Sequence, residues 1–183
     1  MNRMVIFTLA LALVASSAGM AQPLAFKDVV KRVEAKLEPA TAKRGETVKW
    51  VLTIELIPEW HTYPTKQKDA DFISFTNKYK FPKSADIVFA GDLREPKPGV
   101  QKEKEAELLV LEGKVVIEHD LVVSPNLKPG KYSIKIPVRI AVCNKETCLK
   151  PEDMTLETII TVSDAPPVAV DPKYQKELEA AGR

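Results

Sequence analysis

The chain has 183 residues, 45% hydrophobic and 28% charged, with 27 Lys+Arg against 25 Asp+Glu and two cysteines. That length supports one domain whose core is large enough to fold without covalent staples. A formal net charge of +2, with no dominant basic or acidic block, argues against nucleic acid or an anionic membrane as partner.

In chain order, Asn2 and Arg3 precede an apolar run from Met4 to Ala15, and small residues close the segment at Ala18-Gly19-Met20-Ala21. This is the pattern of a secretory leader cleaved after Ala21, too short to span a bilayer comfortably. The mature protein is expected in the periplasm or otherwise secreted, with no lipid-anchor cysteine at its start and no segment inserted into a membrane.

Phe26 to Arg32 is expected to open with a helical turn, because Phe26, Val29, Val30 and Val33 share a face. A strand is predicted from Val33 to Leu37. A stronger one runs from Val48 to Leu56, where Val48, Trp50, Leu52, Ile54 and Leu56 fall at every second position. Weaker strands are predicted at Phe72–Phe75, Ile87–Phe89 and Leu108–Leu111, and Lys102-Glu103-Lys104-Glu105 reads as solvated surface. Strong alternation returns in Val115, Ile117, Leu121 and Val123, again from Tyr132 to Val142, and in Met154, Leu156, Ile160 and Val162. Arg44-Gly45, Pro98-Gly99, Glu112-Gly113 and Pro129-Gly130 supply turns between them. Short strands without a long helical pattern predict an all-β antiparallel sandwich. Beyond Val162, a Pro-containing linker leads to Asp171-Pro172, a cap and first turn for a short helix. The expected organisation is a leader at 1–21, a sandwich domain at 22–162, and a linker with helical tail at 163–183.

In the strand ending at Val142 the even positions are apolar, while Lys131, Ser133, Lys135 and Arg139 take odd ones. Cys143 continues the outward phase and is therefore expected to be accessible rather than packed. Asn144-Lys145-Glu146-Thr147 is a polar quartet suited to a four-residue hairpin loop. Such a hairpin sets Cys143 opposite Cys148 with Cα atoms about 4.5–5.5 Å apart, within disulfide range. A ring this small stabilises by only about 2 kcal/mol on the chain-entropy model. A short open loop suits attack by another protein's thiolate, yet secreted proteins also carry inert disulfides, so the spacing leaves both readings open.

The run Ile57-Pro58-Glu59-Trp60-His61-Thr62-Tyr63-Pro64, followed later by Val142-Cys143-Asn144-Lys145-Glu146-Thr147-Cys148-Leu149-Lys150-Pro151, resembles the amino-terminal periplasmic domain of the DsbD family of thiol:disulfide interchange proteins. The likeness extends over Val33 to Val162 and includes Arg44-Gly45-Glu46. It implies an immunoglobulin-like sandwich, working without a cofactor. Such a domain takes electrons from a thioredoxin-like domain and passes them to periplasmic disulfide isomerases or cytochrome c maturation factors. On this resemblance Cys143 and Cys148 are the redox pair, Cys148 forms the mixed disulfide, and Tyr63 matches an aromatic position beside them. Read from the residues alone, Tyr63 is equally an edge residue packing on the sandwich. The full-length relatives continue into a membrane domain and a thioredoxin-like domain with a CxxC pair. This chain ends at Arg183 with neither, so its electron donor is expected to be a separate protein, such as a membrane electron transporter. The family also shields its cysteines with an aromatic-bearing cap loop, whereas the candidate segment here, Gly91 to Glu107, contains no aromatic residue. Weaker or differently built shielding is expected.

His119 sits on the apolar phase of its strand, as a hydrogen-bonded core histidine does. His61 lies in the family-like turn, where a charged imidazole near the cysteines would lower a thiol pKa and touch a partner. A Cu(I) site from Cys143, Cys148 and His61 lacks a tight motif, and no metal is expected. No Ser-His-Asp order, phosphate loop or paired-carboxylate motif stands out. Two readings remain: thiol:disulfide exchange, and a non-catalytic immunoglobulin-like binding module with a structural hairpin disulfide.

Overall fold

A computed structural model describes residues 24–103 and 106–182. The expected leader and its cleavage site lie outside the described residues. The strands are β1 (Val30–Glu38), β2 (Thr41–Ala42), β3 (Thr47–Leu56), β4 (His61–Thr62), β5 (Lys78–Tyr79), β6 (Ile87–Arg94), β7 (Gly99–Glu103), β8 (Ala106–Glu112), β9 (Lys114–Val123), β10 (Gly130–Ile140), β11 (Val142–Cys143) and β12 (Glu152–Val162).

Two four-stranded sheets, ordered β1-β3-β9-β6 and β2-β12-β10-β5, supply one shared core. The period-two residues meet there: Trp50, Leu52 and Ile54 from β3, Ile117 and Leu121 from β9, Ile136 and Ile140 from β10, and Ile160 from β12, all fully buried. Each such side chain contributes about 1.5–3 kcal/mol on leaving water. Pairing is antiparallel throughout except for the two-residue contact of β2 with β12. Taken in sequence, β1, β3, β5, β6, β9, β10 and β12 occupy positions A to G of the immunoglobulin topology. A-B-E-D forms one sheet and C-F-G the other, so the fold is an immunoglobulin-like sandwich.

Consecutive strands of such a sandwich run in opposite directions, so every second connection returns to the same end. The three at one end are β3 to β5, β6 to β9 and β10 to β12. Out of them the chain builds a third, smaller sheet, β11-β4-β8-β7. This added sheet places the candidate site.

Two expected elements differ. Phe72–Phe75 is not a strand but part of a 3₁₀ helix, Ala70–Phe75, whose start is capped by the Asp69 carboxylate accepting from the Asp71 N–H at 3.0 Å. Three residues per turn put Phe72 and Phe75 on one side, where both find apolar partners. The strand expected to run to Val142 stops at Ile140, and Val142–Cys143 joins a different sheet.

The short helical tail is present. Asp171 caps it, accepting from the Lys173 N–H at 3.0 Å, with Pro172 in the first turn, and α1 (Gln175–Ala181) follows. Tyr174 packs against Ala90 and Val122, and its hydroxyl donates to the Asp120 carboxylate, which also takes a 2.6 Å bond from Arg94. Two glycines make room for the tail: the Val168 carbonyl oxygen lies 2.0 Å from where a Cβ on Gly45 would stand, and the Tyr174 ring 3.1 Å from one on Gly91. His119 is a buried histidine whose Nε2 bonds the Gly91 carbonyl at 3.0 Å, with Phe81 edge-on to its ring at 4.5 Å. Burial pushes its pKa down. No helix among the described residues is long and apolar enough to cross a membrane.

Candidate redox site at the loop end of the sandwich

The site begins where β10 ends. The next residue, Ala141, is held through both of its backbone polar groups: Thr62 Oγ1 donates to its carbonyl at 2.7 Å, and Asn77 Oδ1 accepts from its N–H at 3.0 Å. The Asn77 amide in turn donates to Thr62 Oγ1 at 2.9 Å. Thr62 and Asn77 are 0% and 1% exposed. Past this point the chain pairs with β4, Val142 opposite Thr62 and Cys143 opposite His61.

That switch of sheet overturns the expectation that Cys143 is accessible. Alternation persists only while a strand stays in one sheet, and Ala141, Val142 and Cys143 are three successive buried residues, Cys143 at 2% exposure. Cys148, across the hairpin, is exposed. The two form a disulfide, with Cα atoms 4.0 Å apart rather than the 4.5–5.5 Å expected. Asn144 N–H bonds the Thr147 carbonyl at 2.9 Å and Leu149 N–H bonds the Val142 carbonyl at 3.0 Å. The cysteines therefore occupy the narrow, non-hydrogen-bonded position between them. Asn144 Oδ1 accepts from the Glu146 and Thr147 N–H groups at 2.9 and 2.8 Å, so the loop is an Asx turn.

A cavity of about 260 Å³ opens against this disulfide and brings together all four predicted site residues, Cys143, Cys148, His61 and Tyr63. His61 Nε2 lies 3.1 Å from the Tyr63 hydroxyl, their rings edge to face with centroids 5.3 Å apart. Tyr63 is no edge residue: it is 2% exposed and packs in one apolar cluster with Leu108 and Cys143. Phe75 leans on Tyr63 at 5.6 Å and Phe72 follows at 6.3 Å. Aromatic cover thus comes from the 3₁₀ segment between β4 and β5. The Gly91 to Glu107 stretch, expected as the cap, contributes Gln101 to the wall.

Thr62 and Asn77 escape sequence reasoning. Thr62 lies in a two-residue strand and Asn77 in a connection, and neither carries a periodic signal. Their partner, Ala141, is distant along the chain. Among the described residues no group of three or more His, Cys, Asp or Glu is arranged to hold a metal ion.

Fold and site together define a class: an immunoglobulin-like sandwich carrying a disulfide at its loop end, one cysteine buried and the other exposed. No protein-family model matches the chain, and no curated protein matches it. Among solved structures, the chain is similar to the N-terminal periplasmic domain of ScsB from Proteus mirabilis, with TM-score 0.46 and 15% identity over 81% of this chain. It spans about half the length of that structure, 51%. The N-terminal domain of Neisseria meningitidis DsbD in the reduced form gives TM-score 0.46 and 12% identity, over 77% of this chain and 96% of that one. The PapD-like domain 7 of human CEP192 gives 0.36 and 14%, over 82% and 97%. All three scores fall below 0.5, so the class is defined by strand order and by the site itself.

Proposed function

We propose that this chain is an extracytoplasmic thiol:disulfide exchange protein, relaying electrons through Cys143 and Cys148 between a thioredoxin-like donor and acceptor proteins. The observation that carries the reading is the asymmetry of the pair: Cys148 is exposed while Cys143 is 2% exposed behind it. On this reading a partner's thiolate attacks the sulfur of Cys148, the exposed member of the pair. As the partner–Cys148 bond forms, the Cys143–Cys148 bond breaks and Cys143 departs as a thiolate, then takes a proton. The partner's second thiol attacks its own sulfur and releases Cys148, so two electrons and two protons have passed to this chain. Toward an acceptor the order reverses: the Cys148 thiolate attacks the acceptor's disulfide and Cys143 resolves the mixed species.

On this reading His61, opposite Cys143 in register and lining the same cavity, stabilises the departing thiolate. Tyr63 fixes the imidazole through the 3.1 Å contact, and both border the cavity that receives the partner. The secretory-leader pattern and the disulfide both suit an oxidising compartment. A separate membrane electron transporter would then supply the donor, with disulfide isomerases or cytochrome c maturation factors as acceptors.

Trapping tests this. Cys143→Ser removes the resolving thiol, so a mixed disulfide through Cys148 with a thioredoxin-like protein should accumulate and disappear on adding dithiothreitol. No adduct with Cys143→Ser, under conditions where a known exchange protein is trapped, would leave a non-catalytic binding module as the better description.

A further inference from the structure

The asymmetry of the two sulfurs needs a cause, because a four-residue hairpin by itself does not bury one cysteine and expose the other. Asn144 organises the turn through the Glu146 and Thr147 N–H groups, bonds that lie within the loop. What sets the two cysteines apart lies one turn back along the chain. At Ala141 the N–H is bonded by Asn77 and the carbonyl by Thr62, and the two side chains are bonded to each other, all of it buried. Both backbone polar groups of this residue are thereby satisfied by side chains, which lets the chain leave the β10–β12 ladder here without stranding a buried donor or acceptor. Thr62 also lies in β4, the strand that Val142 and Cys143 then join. The same residue therefore releases the chain from one sheet and receives it in the next, with Cys143 turned inward beside Tyr63 and Leu108.

We infer that Thr62 and Asn77 are positioning residues that decide which sulfur of the pair a partner attacks, by clamping the Ala141 backbone so that Cys143 is sealed and Cys148 presented. The inference deepens the exchange reading, but the selectivity it describes belongs to the folded chain and is measurable without any partner. Without the clamp, the segment from Ala141 to Cys143 has no fixed register on β4, and Cys143 gains access to solvent.

The experiment is timed alkylation of the dithiothreitol-reduced full chain with iodoacetamide, followed by mass spectrometry of the peptides carrying each cysteine. Cys148 should react at least about tenfold faster than Cys143 in the unaltered protein, as thiol reactivity follows exposure. Thr62→Val, which keeps the shape and removes the hydroxyl, and Asn77→Ala should each cut that ratio by about fivefold or more. Thr62→Ser, which retains the hydroxyl, should restore it. A purely structural role would lower the melting temperature and leave the ratio unchanged. If Asn77→Ala does not fold, Thr62→Val and Thr62→Ser decide between them. An unchanged ratio in folded Thr62→Val, or no preference for Cys148 in the unaltered chain, overturns the inference. Trapping through Cys143→Ser would still succeed in the first case if the exchange reading holds, so the two failures are distinguishable.

Discussion

Glu59 adopts φ +70°, a left-handed conformation that strains a residue bearing a Cβ. It follows Pro58 in a turn closed by the Trp60 N–H bonding the Ile57 carbonyl at 3.3 Å, which is the second central position of a type II turn, where Gly or Asn is favoured. Glu59→Asn should therefore raise stability by up to about 1 kcal/mol, seen as a higher urea midpoint at unchanged slope. A drop would show that the Glu59 side chain makes a compensating contact. At the disulfide the expectation is a small energetic effect. Reducing the Cys143–Cys148 bond should destabilise the fold by only about 2 kcal/mol, read from denaturant curves with and without reductant, whereas loss of cooperative folding would mark a structural staple. The sequence disclosed the identity of the pair, the four-residue hairpin loop between them and, through the family-like motif, the nearness of His61 and Tyr63. It concealed the burial of Cys143, because side-chain phase is a property of one sheet and the chain changes sheets at Ala141.

Between residues and molecule, long strands were legible and short ones were not. β3, β9, β10 and β12 each carry many alternating positions, while β4, β5 and β11 have two residues each, too few to show a period. Phe72–Phe75 reads as a strand because Phe and Ile have high strand propensity, yet Phe72 and Phe75 pack on one side of a three-residue turn while Ile73 is exposed. The tail is an element whose docking no local pattern announced, and it carries a pH signature. Burial alone would raise the Asp120 pKa, but hydrogen bonds from Arg94 and Tyr174 outweigh it and hold the carboxyl below its ordinary value. A carboxylate depressed in the folded state contributes stability that is present above its unfolded pKa and lost as pH falls through the folded one. Tyr174→Phe should therefore cost about 1–2 kcal/mol at neutral pH, and the difference from the unaltered chain should narrow below about pH 4. Denaturation at pH 7 and pH 3 checks it; a gap that stays constant would show that the Asp120 charge does not hold the tail.

For the whole molecule, the sandwich class followed from composition and alternation, but the strand order did not, since which edges pair depends on how distant apolar faces meet in the shared core. That order has a functional consequence. By returning three connections to one end, the immunoglobulin topology gathers His61, Tyr63, Phe72 and Phe75 from the β3–β5 connection, Gln101 and Leu108 from the β6–β9 connection, and the cysteine hairpin from the β10–β12 connection. The two-sheet body thus presents Cys148 exposed at one end with Cys143 buried behind it, the arrangement on which the proposed exchange function rests. The most direct test of that account is the reduction potential of the pair, measured by equilibrating the full chain with glutathione or thioredoxin buffers and counting free thiols. An exchange site should lie well above the roughly −300 mV typical of structural disulfides; a potential below that mark would contradict it.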